Sequence, residues 1–414
     1  MRKVKIHILH LLLLFFLPEV CMSGGNRLNF NVNTLSVLDG LSSNCVYCLT
    51  QDDEGYIWVG TDVGVDRYDG KVFRHYSFSS GTDRSLSDPV VNCFLVTSDG
   101  SLLVGTEHGL NKYDEVHDEF VLLGNDDTFS KENIRVIVEQ DEFLWIGTDN
   151  GLYRYSLSDG SVLNYNTTNS GLSHNIVRTF HITDDYYFIG TFDGVSRLNR
   201  RTGTWDSVNL KPSRIDSPKN NLVLSMLQSP VKDGILIVGT QTGFCELEME
   251  TLKFVCHDKS TDPRLVNNTI KTMCLVGDDI WMGTEEGIMV SDGDDIFCYG
   301  YEPSKMNSLP SNIVWGIFED SSDLIWMATE GGVACLDITV PDFEYIDLTE
   351  ARGNHYQDVT IFDAVAVTSD LIYTGSRFGL AEYDITKDII EYVPMTMEVE
   401  GTYNFIRGVT VSKD

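Results

Sequence analysis

Seven side chains at one repeated position of the sequence could form a binding site. Near the start of successive apolar runs, spaced about 45 residues apart, this position holds Tyr47, Asn92, Arg135, Arg178, Leu224, Lys271 and Trp315. Guanidinium and ammonium groups pair with anions, and aromatic rings suit the stacking of a sugar ring. We take six of the seven as candidate ligand-binding residues: Tyr47, Asn92, Arg135, Arg178, Lys271 and Trp315. The alternative is that each side chain fills space between repeats or extends its polar end to a rim.

Acidic residues recur at a second repeated position and could support catalysis. They stand in or near short turns, at Asp62-Val63, Glu107-His108, Asp149-Asn150, Phe192-Asp193, Gln241-Thr242 and Glu285-Glu286. Two neighbouring turns could place a carboxyl pair of the kind that glycoside hydrolysis requires. Asp and Glu are ordinary residues of exposed turns, however, and the Ser/Thr-x-Asp-x-Gly-x-Thr-Trp box of sialidases is absent. We predict a protein that is not an enzyme and has no catalytic residue, metal site or cofactor.

The elements that must position these residues follow from a repeated phrase, an apolar run that ends in Gly-Thr. It occurs at Gly60-Thr61, Gly105-Thr106, Gly147-Thr148, Gly190-Thr191, Gly239-Thr240 and Gly283-Thr284, and in altered form at Ala328-Thr329 and Gly375-Ser376. In the first repeat the pattern predicts four strands, at residues 44–49, 56–61, 65–68 and 72–76, joined by turn residues. A period of about 40–45 residues with several short strands is typical of a β-propeller.

The predicted fold class is all-β. We expect a seven-bladed β-propeller of four-stranded antiparallel blades at residues 28–340, followed by the start of a second propeller at residues 341–414. Residues 28–37 look like a fourth strand without the three before it, so they should complete the blade of residues 313–337 and close the ring. Glycines of the repeated phrase should permit close strand approach or positive φ. Four regularly placed tryptophans should pack between blades: Trp58, Trp145, Trp281 and Trp326.

The N-terminus has the layout of a secretory signal. The basic start Arg2-Lys3-Val4-Lys5 precedes an apolar segment at residues 6–17, and small residues follow at Ser23-Gly24-Gly25. We expect a signal peptide at residues 1–23 and therefore a periplasmic protein, with an uncleaved anchor as the alternative. The formal charge of −32 argues against DNA or RNA as a ligand, because binding to nucleic acid depends on Lys and Arg.

The cysteines offer one candidate disulfide. Cys45 and Cys48 are three residues apart on a predicted strand and would point to opposite faces, and Cys48 lies at a small-residue position where it should pack. Cys245 and Cys256 would be directly opposed across a hairpin if residues 249–252 form its turn. An oxidising compartment would permit a disulfide there, and two separate thiols are the alternative.

Two stretches of the sequence carry a family resemblance. The phrase Asp-x-x-Gly-x-Ile-Trp-Val-Gly-Thr-x-x-Gly at residues 52–64, echoed at residues 320–332, resembles the two-component regulator propeller repeat. The opening Leu38-Asp39-Gly40-Leu41-Ser42-Ser43-Asn44 is similar to the start of periplasmic sensors of hybrid two-component systems. The resemblance covers residues 28–414.

The resemblance implies an architecture and a ligand class. Such receptors have two seven-bladed propellers, an immunoglobulin-like domain, a membrane span, a histidine kinase and a response-regulator segment, and they sense oligosaccharides. The chain would then be the sensor portion of a truncated receptor, which is a homodimer when intact and crosses the membrane only in the missing C-terminal part. The three cations of the candidate site favour an anionic oligosaccharide, a uronate or a sulfated one. A propeller that only docks another protein is the alternative.

Overall fold

The computed structural model describes residues 32–338 except 83, 124–127, 211–220 and 304–306, and residues 362–393 except 369, 377–378, 385–386 and 388. These residues belong to two compact units, one within residues 1–342 and the other within residues 343–414. The predicted signal peptide at residues 1–23 lies outside the described residues. The first part of the expected second propeller, residues 341–361, also lies outside them.

The first unit contains seven four-stranded antiparallel sheets, which are the blades of a propeller. Strands are lettered a to d along each blade. Blades 1 to 4 comprise β2 Val46–Gln51, β3 Ile57–Thr61, β4 Val65–Tyr68 and β5 Phe73–Tyr76; β6 Val91–Val96, β7 Leu102–Thr106, β8 Gly109–Asp114 and β9 Glu119–Leu122; β10 Ile134–Gln140, β11 Phe143–Thr148, β12 Gly151–Ser156 and β13 Val162–Tyr165; β14 Val177–Ile182, β15 Tyr186–Thr191, β16 Gly194–Asn199 and β17 Trp205–Val208.

Blades 5 and 6 repeat this arrangement, and blade 7 takes its fourth strand from the other end of the chain. These blades comprise β18 Val223–Gln228, β19 Ile235–Thr240, β20 Gly243–Glu248 and β21 Phe254–His257; β22 Thr272–Val276, β23 Asp279–Gly283, β24 Ile288–Ser291 and β25 Ile296–Tyr299; β26 Val314–Glu319, β27 Leu324–Thr329 and β28 Gly332–Asp337 with β1 Val32–Leu35. The first unit includes a 3-10 turn at Val37–Asp39.

The N-terminal strand closes the ring as the sequence predicts. β1 pairs with β28 in antiparallel register, with Val32 opposite Leu336 and Leu35 opposite Val333. The Val32 side chain is 5% exposed and belongs to the buried cluster between blades 6 and 7. Blade 7 is therefore complete only when both ends of the first unit come together, which removes an exposed sheet edge.

The Asp and Trp of the repeated phrase form one hydrogen-bonded turn. The Asp52 carboxylate accepts from the backbone N–H of Tyr56 at 2.9 Å and from Nε1 of Trp58 at 2.6 Å. Asp320 likewise accepts from Nε1 of Trp326 at 2.7 Å. The Asp therefore satisfies the indole donor of a buried ring and fixes the turn between strands a and b.

The glycine of the Gly-Thr phrase allows strand b to pack closely, as predicted. A Cβ on Gly60 would lie 2.5 Å from Sγ of Cys48 and 2.7 Å from Cγ1 of Val91 in the next blade. Blade 7 departs from the phrase because Ala328 takes the place of the glycine. Gly316 stands opposite it in strand a, so the extra methyl group has space there.

The threonine of the phrase holds the turn between strands b and c. Thr61 Oγ1 donates to the carbonyl oxygen of Gly64 at 2.9 Å and accepts from the N–H of Val63 at 3.2 Å. Gly64 has φ +144°, and a Cβ there would lie 2.3 Å from a backbone oxygen. The same donation to the glycine three residues on is made by Thr106, Thr148, Thr191, Thr240, Thr284 and Thr329.

The four tryptophans pack between blades, which confirms the prediction. Trp58 contacts Tyr113, Trp145 contacts Tyr187, Trp326 contacts Tyr68, and Trp281 shares a buried cluster with Val314. Each partner belongs to the blade that follows in the ring. Aromatic contacts of this kind add about 0.5–1.5 kcal/mol beyond the burial of area.

The candidate disulfide is present in blade 5. Cys245 on β20 pairs directly with Cys256 on β21, and their Cα atoms are 4.0 Å apart. The two sulfurs are bonded. The other described cysteines are free thiols: Cys45, Cys48, Cys93, Cys274, Cys298 and Cys335.

The second unit contains one further four-stranded antiparallel sheet in the described residues. Its strands are β29 Phe362–Val367, β30 Leu371–Ser376, β31 Gly379–Asp384 and β32 Ile389–Val393. The meander has the strand order of a propeller blade, which agrees with an additional blade after residue 341.

Candidate functional site

The candidate residues occupy a β-bulge near the start of strand a. In blade 3, Ile134 pairs with Thr148 and Val136 pairs with Gly147, so Arg135 between them has no partner on strand b. The same register shift leaves Tyr47, Asn92, Arg178, Leu224 and Trp315 unpaired. Lys271 stands immediately before β22. A bulge re-aims its side chain, which explains why charged and aromatic residues are tolerated on an inner strand.

The bulges lie together at one end of the central channel. Each strand a contacts strand a of the next blade, so β2, β6, β10, β14, β18, β22 and β26 form a closed inner ring. Each bulge is level with the Thr of the Gly-Thr phrase and hence with the turn between strands b and c. We call this end the channel mouth; it comprises the seven bulge positions and the first residue of each b–c turn, Asp62, Glu107, Asp149, Phe192, Gln241, Glu285 and Glu330.

Arg135 forms an ion pair at the channel mouth with a residue of its own blade. Its Nη2 donates to Oδ2 of Asp149 at 2.9 Å, and its Nε donates to Oδ1 of the same carboxylate. The side chains are 22% and 33% exposed. A bidentate pair of this kind fixes the orientation of the guanidinium and of the carboxylate.

Arg178 is the neighbouring cation and is arranged differently. Among the described residues, no hydrogen bond or ion pair reaches its guanidinium. Burial, with the adjacent charge of Arg135 as a second cause, lowers the pKa of Arg178 to about 10, while Asp149 acts in the opposite direction. Arg178 therefore remains a cation at neutral pH, with little water and no carboxylate of its own.

A second group joins blades 6, 7 and 1. Lys271 Nζ lies 3.0 Å from Oε1 of Glu285 and 3.8 Å from the ring centroid of Trp315. Tyr47 meets the Trp315 ring edge-on, with centroids 5.6 Å apart. Lys271 thus covers one face of the indole and restricts how a ligand could stack on it.

Two buried polar atoms in this group lack partners. Trp315 Nε1 and Asp62 Oδ1 are buried without a hydrogen-bond partner in the described part of the chain. Burial, with smaller contributions from Cys45 and Asp62, raises the pKa of Tyr47 to about 12. Tyr47 is therefore a neutral phenol at physiological pH and can both donate and accept a hydrogen bond.

Asn92 and Leu224 belong to neither group. The Asn92 amide donates to Oδ1 of Asn133 at 2.9 Å and to the carbonyl oxygen of Ile134 at 3.0 Å, so it ties blade 2 to blade 3. Leu224 offers no polar atom. The structure thus separates the predicted residues into a cationic group, Arg135 and Arg178, and an aromatic group, Tyr47, Lys271 and Trp315.

Sequence reasoning missed the carboxylate partners of the two paired cations. Asp149 and Glu285 are the first residues of their b–c turns. Asp149 stands fourteen positions after its partner Arg135, and Glu285 is the partner of Lys271. Comparing the bulge position with the turn position of the same repeat would have found them, because both pairs combine a cation with an acid. Arg178 is the exception, since its repeat carries Phe192 at the turn.

One group of side chains at the mouth has metal-ligating chemistry. The ligand atoms of Asp88, Glu107 and His108 lie within 4.8 Å of one another. His108 Nδ1 is 2.8 Å from Oδ2 of Asp88. Exposed acidic groups often stand together without an ion, so this group is assigned none.

Comparison with known families identifies the repeat. The two-component regulator propeller family matches residues 40–63 and 308–331. The chain carries two-component regulator propeller repeats. The matched residues include the first b-strand and the Asp320–Trp326 turn, together with two of the bulge residues, Tyr47 and Trp315.

Longer proteins are similar to parts of this chain. Residues of the chain are 32% identical over 75 positions to Histidine kinase P4 of Formosa agariphila, which is 18% of this chain and 5% of that protein. The extracellular domain of one B. thetaiotaomicron protein, assigned to a hybrid two-component system, superposes with a TM-score of 0.65 at 23% identity over 92% of this chain and 50% of that chain. A second such domain gives a TM-score of 0.70 at 19% identity over 88% and 49%.

The chain therefore spans about half the length of the solved domains that it resembles. At these identities the likeness shows a shared fold. None of the helices in the described residues is long and apolar enough to cross a membrane.

Proposed function

We propose that the chain is the extracytoplasmic, ligand-sensing portion of a hybrid two-component receptor. The two-component regulator propeller repeats support this, as do the structural likeness to extracellular domains of such systems and the secretory layout of the N-terminus. On this proposal the ring recognises a ligand outside the cytoplasm, and a kinase half transmits the signal. The gene sequence after codon 414 tests the receptor class, because it should encode a second ring, a membrane span and a kinase.

We further propose that the ligand is an oligosaccharide bound at the channel mouth. The observation that carries this proposal is the series of bulges, which presents a neutral phenol, an indole edge and guanidinium groups on an otherwise apolar inner ring. Sugar sites combine aromatic surface with a few convergent polar groups. Two of the turn carboxylates, Asp149 and Glu285, are held by cations of the bulge positions.

A glycan array probed with the purified full chain tests the proposal. We expect retention of one class of oligosaccharides, confirmed by calorimetry. Tyr47→Leu should weaken that binding at least about tenfold, because it removes the phenol and the ring at the mouth. Tyr56→Leu is the matched control, since Tyr56 lies at the other end of strand b under the Arg67 guanidinium.

Three outcomes would contradict the oligosaccharide proposal. Retention of no glycan by a well-folded chain would favour the docking scaffold. Equal binding by wild type and Tyr47→Leu would place the site elsewhere. Cleavage of a retained glycan, detected by mass spectrometry, would show that the chain is an enzyme.

A further inference from the structure

We propose that Arg178 and Phe192 of blade 4 form a subsite for an acidic sugar residue, in which Arg178 binds the carboxylate or sulfate group and Phe192 contacts the sugar ring. This inference rests on the proposed function, and it specifies the ligand as an anionic oligosaccharide. It also assigns Arg178 as the residue that would select for the charge.

The first argument compares the three cations at the channel mouth. Arg135 and Lys271 each have a carboxylate at the b–c turn of their own blade. In blade 4 the corresponding turn residue is Phe192. Because Val177 pairs with Thr191 as Ile134 pairs with Thr148, Arg178 stands beside Phe192 in the same register in which Arg135 stands beside Asp149. Blade 4 therefore has the cation of this arrangement without its counter-ion.

The second argument is the cost of that arrangement. A desolvated guanidinium without a partner is unfavourable, and a second cation nearby adds repulsion. Burial and the Arg135 charge lower the pKa of Arg178 to about 10. An external anion would relieve both effects. Arg135 could contribute as well, since its pair with Asp149 uses Nε and Nη2 and leaves Nη1 outside that pair.

The third argument concerns the aromatic residue itself. Phe192 is 38% exposed at the tip of its turn, and its ring lies 5.3 Å from that of His174. An exposed aromatic ring beside an unpaired guanidinium matches a sugar ring that bears an acidic substituent. Replacing the turn carboxylate by Phe also removes the negative charge that would repel such a ligand. In a chain of net charge −32, non-specific anion binding is disfavoured, so a defined anion site requires a local exception of this kind.

The test uses the full chain and three α-1,4-linked trisaccharides of galactose type: trigalacturonate, its methyl ester and a 6-sulfated galactotriose. Calorimetry should show the carboxylate or the sulfate form binding at least about tenfold more tightly than the neutral ester, which corresponds to about 1.4 kcal/mol. Arg178→Gln should abolish this preference, and Arg178→Lys should restore part of it. Phe192→Ala should weaken the binding of every trisaccharide that the wild-type chain binds.

Arg154→Gln is the matched control. Arg154 belongs to strand c of blade 3, and its guanidinium lies over the ring of Phe143 on strand b, so this substitution should leave the preference intact. Inorganic sulfate at constant ionic strength supplies a measurement that does not depend on the sugar. It should raise the melting temperature of wild type more than that of Arg178→Gln. The variant itself should melt no lower than wild type, since the charge that it removes is uncompensated.

The outcomes separate this inference from the proposed function. Equal binding of the charged and neutral trisaccharides, or of other neutral glycans alone, would overturn the acidic subsite and leave the oligosaccharide sensor standing. An undiminished sulfate effect in Arg178→Gln would also overturn the subsite. Unfolding of both Arg178→Gln and Arg178→Lys would show that Arg178 is structural. Retention of no glycan at all would instead overturn the sensor proposal.

Discussion

The ammonium nitrogen of Lys271 lies 3.8 Å from the ring centroid of Trp315. The same nitrogen is 3.0 Å from the Glu285 carboxylate, and the Lys271 side chain is only 11% exposed. One side chain therefore joins the b–c turn of blade 6 to the bulge of blade 7. Lys271 therefore holds blades 6 and 7 together at the channel mouth, in addition to being a candidate binding residue.

The Lys271 contact predicts a measurable effect on stability. Lys271→Gln should lower the free energy of unfolding by about 1 kcal/mol, because it removes a shielded cation–π contact and an ion pair. Lys232→Gln is the control, since Lys232 pairs with Glu246 but is 54% exposed, and it should cost less than about 0.5 kcal/mol. Denaturant titration of both variants measures the difference. Equal losses would mean that the Trp315 contact adds nothing.

Ring closure by β1 predicts a larger effect. Val32→Asp should destabilise the first unit by about 3 kcal/mol, because it buries a carboxylate in the cluster between blades 6 and 7. Asn33→Asp on the same strand is the control, since Asn33 is exposed and should tolerate the change within about 0.5 kcal/mol. Differential scanning calorimetry compares the two. A Val32→Asp variant that melts with wild type would show that the pairing with β28 contributes little to stability.

Repeat spacing and residue type were sufficient to predict much of the fold. The Gly-Thr phrase predicted the blades, residues 28–37 predicted the closing strand, and regular Trp positions predicted contacts between blades. These features depend on alternation and turn chemistry, which a single sequence displays directly. The bulge is not displayed in this way, because it consists of one unpaired residue near the start of strand a and leaves the alternation along the rest of the strand unchanged.

The candidate site was predicted less completely for the same reason. Arg135 and Arg178 occupy the same repeat position, and the register of the bulge places each of them beside the b–c turn residue of its own blade. The difference between Asp149 and Phe192 then decides that one guanidinium is paired and the other is not. Asn92 was grouped with the ligand residues because its hydrogen bonds to blade 3 depend on contacts between blades.

Buried thiols predict a loss of stability at alkaline pH. Burial raises the pKa of Cys93 to about 12, above its ordinary value of 9.0. The folded state therefore keeps the proton while the unfolded chain releases it, so stability is full below about pH 9 and falls as the pH rises toward 12, by up to about 1.4 kcal/mol for each pH unit. Cys93→Thr should make this fall shallower, because Thr179 and Thr272 occupy the same position in other blades.

Melting temperatures of wild type and Cys93→Thr between pH 8 and about pH 10.5 measure this effect. Tyr and Lys residues titrate alike in both proteins, so the difference between the two curves isolates the thiol. Parallel curves would show that Cys93 does not ionise differently in the folded and unfolded chains.

Blade 7 shows how the Gly-Thr phrase can change, because Ala328 replaces its glycine and stands opposite Gly316. Gly60→Ala should destabilise the protein by about 2–3 kcal/mol, because its new methyl group would overlap Cys48 from the same blade and Val91 from the next. Ala328 is tolerated opposite Gly316, so the double variant Gly60→Ala with Cys48→Gly should recover part of the loss. Cys48→Gly alone should be destabilising, since it leaves a space that the thiol had filled. The coupling energy from this double-mutant cycle, measured by denaturant titration, should therefore be favourable by more than about 1 kcal/mol. Additive effects of the two changes would show that the altered phrase in blade 7 is accommodated by some other displacement of the inner strands.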